Sequence, residues 1–488
     1  MSQTKAQLIG PLVADDISVT GTINFDSGTF KVDSTNDKVG IATGANAPTK
    51  TLEVGGDTQI ADLYYTADYP TARPTIDLAF DKVKKLDNRI TFRRESIGTI
   101  VNSDGYIETI GHNKPRFNHD PSTRECLGLL IEEQRTNLVT YSENFENWSA
   151  NGTRSTVTPN QIIGPDGTLS ADMINDVDST SGLKNLYLYV TVTGNETYTG
   201  SIYVKAGTSD WINFYFDDSY ISFQFSTETV SLDPNSPTGA TAGFENAGNG
   251  WYRIYVKDVN AQSGSRPISF WTGANSQTYS PDYTGDPTKT VYVWGAQLEQ
   301  GTFPTSYIPT SGSTVTRKAD GVAFEGTNVT DWYNQSEGTW IIDTNKTQSI
   351  DGYYAALFYM RPITGSNATR NEFYKGNGSG NFSYRYGNND GTTTGSINTT
   401  NAITSGDNTL FAYYKQGDFG IGSNGTIDAT DTSGSVQVTT DPDIYLAIGS
   451  TFDPSSSGGS SEHWNGHFRR FTYYPYRLNN SQIANLTL

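Results

Sequence analysis

The side chains best suited to recognise a ligand in this chain are aromatic. An exposed Trp or Tyr offers a ring face on which the apolar face of a sugar can stack, while Asn, Asp and Gln nearby bond its hydroxyls. Trp211, Tyr215 and Trp271, and further on Trp332, Tyr333 and Trp464, fall near strand ends or loops and are the candidate ligand-binding residues. Trp294 and Trp340 sit inside strand patterns and are assigned to cores.

Catalytic patterns are scarce. Hydrolases built on sandwiches commonly carry Glu-x-Asp-x-x-Glu along one strand, where alternate positions share a face. No Glu here is followed two positions later by Asp, and neither a Gly-x-Ser-x-Gly elbow nor a Walker loop is present. Adjacent acids such as Glu132-Glu133 and Asp217-Asp218 point to opposite faces of a strand. His463 and His467 can share a strand face, but a metal needs further ligands and none is identifiable. Asp176-Val-Asp-Ser-Thr-Ser-Gly182 places oxygens at alternate positions, yet lacks the sixth-place glycine and closing Glu of a calcium loop. The expectation is a protein without catalytic residues, metal or cofactor.

The elements that position these residues read as strands. Of 488 residues only 35% are hydrophobic, yet 12% are aromatic, including 30 Tyr and 8 Trp. Disordered chains are poor in aromatics, so this composition points to extended, surface-rich domains, and the length to about three of them. Abundant Thr, Ser, Asn, Asp and Gly suit short strands joined by tight turns. A net charge of −19 argues against nucleic acid or an anionic membrane as partner. Cys126 is alone, so no disulfide forms within one chain, and no apolar run suggests a signal peptide or membrane insertion.

Four segments follow. Residues 1–60 alternate in short bursts (Ile17, Val19, Ile23, Phe25; Phe30, Val32; Val39, Ile41; Leu52, Val54) separated by turn residues. Strands this short cannot close a core alone, and intertwining with identical copies as a stem supplies the missing surface. Residues 61–140 form a connector. Its 76–89 stretch reads as strand, loop, strand, and its 99–108 stretch as a hairpin turning at Asp104-Gly105. Residues 141–312 run strand after strand, as in a β-sandwich, and 318–488 begin a second such series ending in an amphipathic turn over 478–486.

The run Gly128-Leu-Leu-Ile-Glu-Glu-Gln-Arg-Thr-Asn-Leu138, with Tyr141-Ser-Glu-Asn-Phe145 after it, carries a resemblance. Ile90-Thr-Phe-Arg-Arg94, Ser103-Asp-Gly-Tyr-Ile107 and Lys114-Pro-Arg-Phe117 precede it; Gly295-Ala-Gln-Leu-Glu299 and Phe303-Pro-Thr-Ser-Tyr-Ile-Pro-Thr310 follow far downstream. The ordered set resembles a module of bacteriophage tail-fibre and receptor-binding structural proteins, closely over 90–145 and 294–317. The third segment resembles jelly-roll carbohydrate-binding modules and the fourth concanavalin-A-like (laminin-G-like) lectin domains. The resemblance implies an all-β homotrimer whose N-terminus anchors it to phage tail proteins (adaptor, nozzle or baseplate). Two sandwiches would then meet a bacterial surface glycan or protein. Such a protein is made in the host cytoplasm and ends in the virion. The alternatives are a polysaccharide depolymerase with catalytic acids assembled across subunits, and a neck or capsid fibre without a receptor.

Overall fold

Alternation of apolar and polar residues resolves into strands whose apolar sides meet in two large cores. The computed structural model describes residues 73–488 apart from 151–153, 260, 347–353, 363–369, 377–380, 388–394, 400–405, 437–443 and 453–461, together with four strands between 22 and 54. Met1–Thr71 and Ala72–Leu488 are separate units. In the first, Thr22–Phe25, Phe30–Asp33 and Lys38–Ile41 pair antiparallel in sequence, and Leu52–Val54 adds in parallel. The bursts at Ile23, Phe25, Phe30, Val32, Val39, Ile41, Leu52 and Val54 lie in these strands, whereas Ile17 and Val19 lie outside the described residues.

In the second unit, two six-stranded antiparallel sheets make the first sandwich. One has the order Ser149–Ala150, Leu186–Val192, Gly264–Trp271, Trp211–Phe216, Ser219–Gln224, Thr229–Leu232. The other runs Ser155–Ile163, Leu169–Asp176, Thr290–Gln300, Tyr198–Ala206, Tyr252–Asp258, Thr241–Asn246. Ile212, Phe214 and Phe216 from one sheet meet Ile202, Ile254 and Val293 from the other, all fully buried.

The second sandwich draws strands from both sides of the first. Its larger sheet centres on Gly466–Tyr474, which pairs with Glu337–Lys346 along one edge and with both Cys126–Ile131 and Ile76–Ala79 along the other. Its seven-stranded partner runs Gly395–Asn398, Phe382–Gly387, Arg370–Lys375, Ala355–Pro362, Ile444–Ile448, Gly321–Glu325, Ile90–Arg93. Residues 76–131, within the 61–140 segment read from sequence as a connector, therefore contribute strands to this sandwich, and Ile76, Phe80, Leu129 and Ile131 share its core with Trp340 and Phe471. The physical reason is that their short strands have too little apolar surface to close a core, and sheet edges supply it. Of the smaller expectations within the segment, the hairpin stands, and the strand, loop, strand reading of 76–89 holds only for its first strand. Strand Ile76–Ala79 gives way to one helical turn at Phe80–Val83 before Ile90–Arg93, and Gly98–Val101 pairs with Ile107–Ile110 across a turn where Gly105 takes φ +76°. A C-terminal helix, Asn480–Thr487, starts in a capping box between Asn479 and Gln482 and buries Ile483.

The first sandwich is thus an insertion, leaving through Arg135–Asn137 and returning through Val315–Arg317, which pair side by side. Beside this paired joint lies a buried charge cluster. Asp320 accepts from Arg94 (3.1 Å), from Arg116, and from the backbone N–H of Glu132 (3.0 Å). Glu132 in turn pairs with Arg116 (2.7 Å) and Arg317 (3.4 Å) and accepts from Ser306 N–H and Oγ (2.8 and 2.6 Å). Burial alone would raise the Glu132 carboxyl, but Arg317, Arg116 and Ser306 outweigh it and hold the group well below the usual carboxylate range. Asn137 closes the joint by bonding the backbones of Ala296, Ile308, Val139 and Leu298. Glu133 turns the other way, onto Arg135 (2.5 Å).

Two imidazoles border this region, and burial lowers both His463 and His467 to about 4. Arg317, Glu133 and Asp320 face His463; Glu132 and Arg116 face His467. The folded protein keeps both neutral, whereas the unfolded chain takes up protons below the ordinary value of 6.5. Stability contributed by these groups is therefore complete above pH 6.5 and falls as pH drops from 6.5 to about 4. Each contributes ~1.4 kcal/mol per pH unit in that window. Urea titrations at both ends of it should show His467→Gln losing less stability on acidification than the wild type. Equal losses would refute the assignment.

Candidate functional site

Residues alternating with the core positions of the first sandwich form an outward sheet face. Tyr187 stands opposite Ser269, Ser269 opposite Tyr215, and Tyr215 opposite Tyr220. One register line thus carries three tyrosines over four adjacent strands, a span of ~14 Å at ~4.8 Å per strand. Ser269, 2% exposed, lies low between Tyr187 and Tyr215. The Tyr215 and Tyr220 rings are 4.2 Å apart at 39°, and Tyr187 meets Tyr189 edge-on at 5.5 Å. Tyr189, opposite Pro267, is 59% exposed. Burial, reinforced by Tyr220 and the charges of Asp218 and Asp217, pushes the Tyr215 hydroxyl far up, so it stays a neutral donor and acceptor.

The next register line is closed off. Asn213, opposite Trp271 and Ser222, accepts from Thr278 N–H (3.1 Å) and donates to the Ser276 carbonyl (3.3 Å). These bonds tie the loop after Trp271 to the sheet, and Gly273 permits the close approach: at φ +65°, a Cβ there would sit 2.4 Å from Asn213 Nδ2. Trp271 is consequently 2% exposed, with Tyr220 against it at 6.2 Å. Of the sequence-derived candidates here, Tyr215 lies in the open row, Trp211 is half-buried at the start of its strand, and Trp271 is covered.

The second set does not form a surface. Trp332 and Trp464 are 6% and 4% exposed and belong to the core of the second sandwich. Trp332 packs on Phe324 and Tyr473 at 5.5 and 5.3 Å, Trp464 on Phe382 and Phe468 at 5.9 and 6.2 Å. Tyr333 stacks on Trp340 at 6.1 Å and accepts from Asn371 at 3.0 Å. The expectation that all three offer faces to a sugar is corrected: turns at strand ends fold their rings inward, which the spacing of aromatics does not reveal.

Sequence reasoning missed Tyr187, Tyr189 and Tyr220. The signal was present, because in Leu186-Tyr-Leu-Tyr-Val-Thr-Val192 the tyrosines alternate with residues the core needs. As for metals, no group of three or more His, Cys, Asp or Glu suited to an ion occurs among the described residues. Asp176 is engaged by Tyr283 (2.7 Å), Thr272 (3.2 Å) and the Asp286 N–H (3.0 Å), and Asp178 by Lys184 (2.5 Å).

No family model and no curated protein matches the chain. Among solved structures, it is similar to the CBM40 of Ruminococcus gnavus IT-sialidase bound to alpha2,3 sialyllactose, at 17% identity and TM-score 0.29, covering 34% of this chain and 94% of that one. Domains LG4-5 of the mouse laminin alpha1 chain give 10% identity and TM-score 0.20, covering 65% and 91%. The CBM22-1-CBM22-2 tandem domain of Paenibacillus barcinonensis Xyn10C gives 11% and 0.23, covering 71% and 99%. At such scores nothing is carried over from these proteins to this chain.

Proposed function

We propose that this chain is a bacteriophage fibre or spike protein, held on the particle by its N-terminal segment, whose first sandwich binds a host-surface glycan without cutting it. The observation that carries the reading is the open row Tyr187–Ser269–Tyr215–Tyr220 with the exposed Tyr189 beside it. Rings with apolar faces, interleaved with hydroxyls on a rigid sheet, suit stacking against pyranose rings. The motifs that resemble the fibre module support the first half of the reading, since Glu132, Arg135, Asn137 and Ser306 belong to them and build the joint between the sandwiches.

One or two stacking rings give an affinity near millimolar, on the order of −4 kcal/mol, and three copies on one stem raise avidity by roughly 10². A monomeric mass for the intact protein in light scattering would remove that gain. The function itself is tested by competition, with purified protein blocking phage adsorption. Tyr187→Ala/Tyr189→Ala should compete roughly tenfold less well, the loss expected for ring contacts of ~1.4 kcal/mol. Its melting temperature should stay nearly unchanged, because Tyr189 is 59% exposed. Undiminished competition by the double variant would defeat the proposal, and sustained release of new reducing ends from host polysaccharide would establish a depolymerase instead.

A further inference from the structure

The seven-stranded sheet of the second sandwich also has an outward face, and its chemistry differs from that of the tyrosine row. One register line passes from Ala447 through Tyr359, Glu372 and Arg385 to Ser396. Arg385 lies 5.1 Å from the Tyr374 ring centre, donates to that tyrosine's hydroxyl at 2.8 Å and pairs with Glu372 at 3.3 Å. Arg361, opposite Tyr445, lies over the rings of Tyr359 and Tyr445 at 5.3 and 5.6 Å and donates to the Tyr445 hydroxyl at 2.6 Å. Tyr354, 45% exposed, meets Tyr374 edge-on at 5.5 Å. Tyr354, Tyr359, Arg361, Glu372, Tyr374 and Arg385 line a cleft of about 350 Å³, with Thr451 and Glu462 completing it.

Tyr359, Tyr445 and Ala447 pack with Ala323 and Phe452 in a small buried cluster, which leaves Arg361, Tyr374, Arg385 and the exposed Tyr354 as groups that this packing does not account for. Two guanidiniums fixed on ring faces have little freedom left to lose, so donors are already in place before any ligand arrives. Among the described lining residues, two carboxylates, Glu372 and Glu462, match the charge of Arg361 and Arg385. Paired donors and acceptors suit hydroxyl groups, each of which can accept from a guanidinium and donate to a carboxylate. Tyr354 adds an exposed ring.

We propose that this cleft binds a neutral saccharide, its hydroxyls held between Arg385 and Glu372 and its apolar face against Tyr354, as a glycan site separate from the tyrosine row of the first sandwich. The ligand class rests on the glycan-binding reading above, but the site is read independently. The full chain labelled with fluorotyrosine would be titrated with neutral gluco-, manno- and galacto-oligosaccharides and with a galacturonate oligosaccharide of equal length. Tyr354→Phe and Tyr374→Phe assign the resonances at the cleft; Tyr187→Phe and Tyr189→Phe assign those of the other face. The expected result is a saturable shift of the Tyr354 and Tyr374 signals with at least one neutral sugar, little altered by salt. Tyr354→Ala, at an exposed position, should weaken this binding roughly tenfold, equivalent to ~1.4 kcal/mol. Responses of Tyr187 and Tyr189 should be untouched. Silence of the cleft signals towards every neutral sugar, a salt-sensitive response to galacturonate alone, or full affinity in Tyr354→Ala would each overturn the proposal. A cleft that fails while the Tyr187 and Tyr189 signals respond leaves the first face standing, and the reverse result separates the two in the other direction.

Discussion

Asp320→Ala is expected to destabilise the protein by ~3–5 kcal/mol, the cost of removing one partner from a buried ion cluster. Asp320 is fully buried, as are Arg94 and Arg116, and Arg317 is 1% exposed. Without its carboxylate, Arg94 loses its ion-pair partner, Arg116 and Arg317 are left with Glu132, and the Glu132 N–H loses its acceptor. Asp320→Asn keeps the shape but not the charge and should recover only a minor part of the loss. Urea denaturation followed by tryptophan fluorescence measures both. A change below ~1 kcal/mol for Asp320→Ala, the range of an exposed pair, would show that the cluster does not hold the joint.

Trp332→Ala should cost ~3–5 kcal/mol, and Trp464→Ala a similar amount, because each leaves a ring-sized void in the second core. Trp332 also donates from its indole N–H to the Asn328 carbonyl, closing the turn that presents it. Competition for adsorption, normalised to folded protein, should be unaffected by either change, the reverse of Tyr187→Ala/Tyr189→Ala. A Trp332→Ala protein with an unchanged melting temperature and weakened glycan binding would return that ring to a ligand site.

Much of the fold was legible in the order of residues. Alternation located Leu186–Val192, Trp211–Phe216 and the first half, Thr290–Trp294, of the strand Thr290–Gln300, and Asp104-Gly105 marked its hairpin, because strand period and turn stereochemistry are local properties. The fate of 76–131 was not local. Whether Ile76–Ala79 pairs within its own segment or onto Gly466–Tyr474 depends on an edge far along the chain, and period-two patterning is silent on partners. The candidate site divides on similar grounds. Tyr215, picked out as an aromatic near a strand end, lies on the outward row, but Trp271 on the next register line is covered by a loop held through Asn213, a contact that spacing cannot encode. Trp332 and Trp464 failed because an aromatic at a strand end turns inward wherever the core has room. The fibre-like motifs pointed to real constraints of another kind, since Glu132 and Asn137 act on the joint and not on a ligand.

The discontinuous second sandwich has a consequence for how the molecule is made. Asp77 and Arg470 are 393 residues apart, yet their strands lie edge to edge. A ribosome adding ~5–20 residues per second finishes the earlier strand on the order of half a minute before the later one exists. During that interval the inserted sandwich already has all its strands and can close, while Ile76–Ala79 and Cys126–Ile131 still await Gly466–Tyr474. Unpaired strand edges are templates for any neighbouring chain. On a crowded polysome, the strands that wait longest in one nascent chain are therefore the ones most open to pairing with its siblings.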